Sequence, residues 1–133
     1  MKKLIAFIGV GLCTFSCTSH LADKFGSASA SDVDIEKIKD QCDCIDAIDI
    51  IASDFLSVVG NIDKKDFDQL SDRKQENLEK RIEPIMDKRK EVDQFCRQHY
   101  GVSSNNYESM AAGADCSGHK DLVSKLNEIE KRF

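Results

Sequence analysis

Cys42-Asp43-Cys44-Ile45-Asp46-Ala47-Ile48-Asp49-Ile50-Ile51-Ala52-Ser53-Asp54-Phe55-Leu56-Ser57-Val58-Val59 is the stretch on which the fold turns. Its apolar residues fall into two stripes. One runs through Ile35, Ile38, Cys42, Ile45, Ala52, Leu56 and Val59; the other through Cys44, Ile48, Ile51, Phe55 and Val58. Both advance in steps of threes and fours, the period of an α-helix. Together they wrap well over half of its circumference. A helix so broadly apolar must be covered on more than one side, so this first helix is expected to be the central element. Ser31 and Asp34 offer a start, Asp32 and Glu36 suit the positive end of the helix dipole, and Gly60-Asn61 offer a stop.

Outward from this helix, residues 61–69 read as a connector or a short turn of helix that Phe67 and Leu70 dock to the core. A second helix is expected from about Asp72 to His99. Its seam is Leu78, Ile82, Ile85, Arg89, Val92, Cys96 and His99, alternating four and three, with a charged remainder that includes the i,i+4 pair Glu76–Lys80. Pro84 lacks a backbone donor and is expected to kink or split that helix. Tyr100 to Asn106 is a break, residues 107–114 suggest a short helix, and Ser117 or Gly118 opens a third helix. The core face of that third helix is Leu122, Val123, Leu126, Ile129 and Phe133. A single Pro, few Gly and no Trp accompany many Asp, Glu, Lys, Leu and Ile, which favours helix over strand. The expected fold is all-α: one domain over residues 31–133, a small bundle of three main helices with the first in the middle.

The N-terminus carries a different kind of information. Lys2 and Lys3 precede a short apolar run, Leu4 to Leu12, and then Thr14-Phe15-Ser16-Cys17. The run is too short for a permanent span, which takes about 20 residues, and it has the zones of an export signal. Ending at Cys17, residues 1–16 resemble a bacterial lipoprotein signal peptide in a looser form of its pattern, with small Ser16 before the cysteine and Thr14 and Phe15 in place of the stricter Leu and small residue. Cys13 fits less well because Leu12 before it is bulky. The resemblance implies cleavage after Ser16 and covalent lipid, palmitate among the acyl chains, on Cys17. Thr18 in the next position, where Asp would retain the protein in the inner membrane, implies an outer-membrane anchor facing the periplasm. Acyl chains contribute about 0.8 kcal/mol per buried CH2, enough for stable anchoring when two or three are present. Residues 17–30 would then be a lipidated N-terminus and flexible tether. The competing reading is a secreted or periplasmic soluble protein cut after Ala28-Ser29-Ala30, with Ser31 first.

The charge balance narrows the partners. There are 19 basic residues against 24 acidic ones, and loss of Lys2 and Lys3 with the signal takes the net charge from −5 to −7. An acidic surface repels phosphate backbones, which argues against nucleic-acid binding, and it cannot hold anionic lipid by charge.

Cys42, Cys44, Cys96 and Cys116 remain in the exported part. An even number there argues for two disulfides. Residues at i and i+2 of a helix point about 200° apart, so Cys42 and Cys44 cannot easily pair with each other. One should reach Cys96 and the other Cys116, clamping the first helix from both sides. The two pairings are nearly equivalent on this geometry, with a lean to Cys44–Cys96 and Cys42–Cys116. Each bond closes a loop of more than 50 residues and, taken alone, contributes roughly 4 kcal/mol in the chain-entropy model. Cys96-x2-His99 and Cys116-x2-His119 also have the spacing of zinc ligands. Zinc at Cys96, His99, Cys116 and His119 would have to compete with oxidation outside the cytoplasm. Cys42-x-Cys44 is not a Cys-x-x-Cys redox motif.

Asp43, Asp46, Asp49 and Asp54 are read as the solvated face of the first helix, with Asp49 inside an apolar stripe and so a candidate for partial burial. Asp63 to Asp72 lacks the Gly and closing Glu of a calcium loop, and there is no phosphate-binding glycine loop or gathered Ser, His and Asp. No cofactor and no catalytic residues are expected. Two functions remain: a non-enzymatic helical binding or structural module anchored in the cell envelope, engaging an envelope protein, or a metal- or thiol-handling protein built on the Cys-x2-His and Cys-x-Cys residues.

Overall fold

The structure, a computed structural model, describes residues 29–105, 110–111 and 113–133. Cys17, the signal and nearly all of the proposed tether lie outside the described residues. Two 3-10 turns, Ala30–Asp32 and Ile35–Lys37, are followed by α1 (Gln41–Val59), α2 (Lys64–Asp68), α3 (Asp72–Tyr100) and α4 (His119–Arg132). No strand occurs among the described residues. The fold is an all-α bundle of three main helices. α1 packs against both α3 and α4, while α3 and α4 scarcely touch each other.

The central helix starts later than Ser31. Asp34 accepts a hydrogen bond from the Glu36 N–H at 3.0 Å and caps a short 3-10 turn, and Asp40 accepts from the Asp43 N–H at 2.8 Å and caps α1. Two carboxylates, each satisfying free donors, divide the segment because such side chains offer the backbone an alternative to a continuous helix. Ile35 and Ile38 therefore leave the helical stripe. Ile38 is still buried, as are Val33 and Ala30. Ala30, assigned by sequence to the tether, is 1% exposed, and its N–H donates to Asp54 Oδ2 at 2.8 Å. Residues 30–38 thus form a strap, with its first turn packed on α3 and α1. Ala47 and Ile50, which lie outside both expected stripes, are buried too. They step along the helix toward Asp54, the strap's anchor, so a third face of α1 is covered.

α1 ends at Gly60, whose φ of 57° and ψ of −122° suit only glycine. Its carbonyl accepts from Arg132 Nη1 at 2.5 Å, which fastens the last turn of α4. α2 is the expected short connector, capped by Asp63 and tied by Gln75 Nε2 donating to the Phe67 carbonyl at 2.9 Å. α3 is continuous through Pro84. The expected split does not occur: Pro84 is exposed, so the Lys80 carbonyl that loses its donor faces water and needs no internal partner. Met110 and Ala111 are helical, and the remainder of the short helix expected over 107–114 falls partly outside the described residues.

Candidate functional site

The sulfurs fix how the helices stand around α1. Cys42 pairs with Cys116 (Cα–Cα 5.3 Å) and Cys44 with Cys96 (Cα–Cα 5.9 Å). Two residues apart on α1, they pull α3 to one side and the segment leading into α4 to the other. The environments differ. Cys44 and Cys96 are fully buried, whereas Cys42 is exposed and Cys116 half-buried.

This pairing separates the two Cys-x2-His motifs. Cys96 and Cys116 belong to different bridges on opposite sides of the helix. His99, expected on the α3 seam, is exposed, with Nδ1 2.9 Å from the Phe95 carbonyl and its ring stacked on Phe95. His119 Nε2 lies 2.9 Å from the Met110 carbonyl at the start of α4. Among the described residues no group of three or more His, Cys, Asp and Glu is placed to hold a metal ion.

The acidic residues of α1 are not a uniformly wet face. Asp43 is buried and accepts the Lys39 N–H at 2.7 Å. Asp49 accepts two bonds from Lys125 Nζ at 2.8 and 2.9 Å, an ion pair across the α1–α4 contact. Asp54 holds the strap. Asp43 and Asp54 satisfy part-buried backbone donors and Asp49 a lysine on the neighbouring helix, roles that spacing alone does not reveal. Asp93, absent from the sequence reading, is buried in α3 and accepts from the Ser104 N–H and hydroxyl at 2.8 and 2.5 Å. Arg89 joins this group through Ser104 Oγ and Asn105 Oδ1, fixing the turn after α3.

The feature best suited to recognition is an apolar cleft of about 450 Å³. Ile48, Ile51, Ala52 and Phe55 of α1 make its floor. Ile82, Ile85 and Met86 line the α3 wall, Leu126, Ile129 and Phe133 the α4 wall, and Phe67 of α2 also contributes. Phe133, expected on the core face, is 43% exposed and meets Phe55 edge-on at 5.6 Å between centroids. These positions were legible as hydrophobic seams, but not as a cleft. Seams on outer helices are expected to meet, and here the two outer helices are held apart on a shared floor. Glu79, Glu83 and Arg89 are the charged groups of the lining. Among the described residues it contains no Ser, Cys or His, and no buried side-chain nitrogen or oxygen lacks a partner. What the cleft supplies is apolar surface that a partner can cover.

No protein-family model, curated protein or solved structure matches the chain. No helix among the described residues is long and apolar enough to cross a membrane.

Proposed function

We propose that this chain is a lipid-anchored cell-envelope protein whose helical domain is a non-enzymatic binding module, displayed from the outer membrane toward the periplasm. The cleft is the observation that carries the reading. An apolar trough on a domain clamped by two disulfides is a preorganised surface, and rigidity lowers the ordering cost of binding. The pattern ending at Cys17 supports the anchor, and two disulfides suit an oxidising compartment. The thiol-handling alternative has less support: all four cysteines of the domain are in bridges, and an oxidised sulfur is not a thiolate ligand.

Two measurements test this. Intact mass of the chain from the membrane fraction should show an acylated Cys17; a soluble product beginning at Ser31 removes the anchor. A photo-crosslinking amino acid in place of Met86, in the cleft, should capture an envelope protein in intact cells. The same probe in place of exposed Lys90 should not. Equal capture at the two positions would discard the cleft as the binding surface.

A further inference from the structure

Resting on that reading, we infer that the cleft receives an amphipathic α-helix of a partner protein, with lysine or arginine flanking its apolar stripe. The shape argues for a helix. α3 and α4 both pack on α1 and scarcely touch each other, which leaves the position that a fourth helix of a bundle would occupy. On α3 the lining runs from Glu79 to Arg89, about 15 Å or three helical turns. This matches the i, i+3, i+4, i+7 anchors by which helices seat in grooves. A small ligand is usually enclosed over most of its surface, whereas this trough is only about half enclosed.

The charge argues for basic flanks. Glu79 and Glu83 stand one turn apart on the α3 wall, both exposed, and neither has an ion-pair partner among the described residues. Arg89, the only cation of the lining among the described residues, is engaged by Asp93, Ser104 and Asn105. The rim therefore carries two uncompensated carboxylates on a chain of net charge −5. This repels fatty-acid carboxylates, anionic headgroups and a second copy of the chain, and it favours a cationic partner.

The test uses the full chain, disulfides intact, in nanodiscs of phosphatidylethanolamine and phosphatidylglycerol, with empty discs as control. The probes are two designed helical peptides of about fourteen residues, sharing one leucine stripe and flanked by lysine or by glutamate. The lysine peptide should bind about tenfold more tightly, since two exposed pairs are individually modest. The E79Q/E83Q double variant should erase that preference, and Met86→Glu should abolish binding of both peptides, with helicity checked by circular dichroism. Equal affinity for the two peptides, displacement of the lysine peptide by palmitate, or self-association lost in Met86→Glu would each overturn the inference. So would binding of neither peptide. A charge-indifferent peptide result with a protein still captured at position 86 removes only this inference. Absence of capture there removes the underlying reading as well.

Discussion

The two flanks of α1 hold their neighbours by different physics. On the α3 side the Cys44–Cys96 bridge is fully buried, one helical turn from the buried Val92, so the covalent bond and the hydrophobic contact occupy the same dry region. On the α4 side the Cys42–Cys116 bridge lies at the surface, and Leu122 is the one fully buried side chain of α4. There the Asp49–Lys125 ion pair and the Arg132–Gly60 hydrogen bond supplement the packing. One flank is held by burial reinforced with sulfur, the other by sulfur and charge reinforced with modest burial. A helix attached in the second way stands at the rim without closing over the floor, so the cleft follows from this asymmetry.

The contrast can be broken most directly at the bridges. Cys44→Ala with Cys96→Ala should cost about 4 kcal/mol in urea denaturation. Cys42→Ala with Cys116→Ala should cost less than its longer loop implies, because its surface site adds no core packing. In a thiol-alkylation time course under mild dithiol, Cys42 and Cys116 should be labelled before Cys44 and Cys96, since exchange requires access to the sulfur. The reverse order would mean that the α4 flank is the tighter one. A smaller effect is expected at Gly113. A Cβ there would come within 2.6 Å of Cγ1 and Cδ1 of the fully buried Ile45, which would have to shift within the packed core. Gly113→Ala should therefore lower stability by about 2 kcal/mol, and Gly113→Ala with Ile45→Val should recover part of it. The smallest effect belongs to the ion pair. Lys125→Met removes a partly exposed contact and should cost no more than about 1 kcal/mol, with a cost that shrinks as salt is raised. A larger loss that still shrinks with salt would show that charge has a greater part in holding α4 than its exposure suggests.

Much of this was readable from residue spacing. The double stripe on α1 identified the central helix, because apolar side chains at three- and four-residue steps must be covered wherever they point. Helical angles alone separated Cys42 from Cys44 and placed their partners on opposite sides. The seams of α3 and α4 were recognisable in the same way. The differences cluster where short polar side chains act on the backbone. Asp34 and Asp40 divide the expected first helix, Asp54 draws Ala30 out of the expected tether, and Asp43 leaves the solvated face for a particular donor, whereas Asp49 is partly buried as its place in the stripe suggested. A carboxylate in a sequence looks the same whether it meets water or a buried N–H.

Local chemistry was thus sufficient for helix identity, the positions that need cover and the opposition of the two bridges, since all three depend on periodicity along one segment. How far apart the covering helices stand depends on contacts between residues distant in the chain. The strap under Asp54, the pairing of Asp49 with Lys125 and the gap between α3 and α4 belong to that second class. So does the cleft, which exists because two apolar seams share a floor without reaching each other.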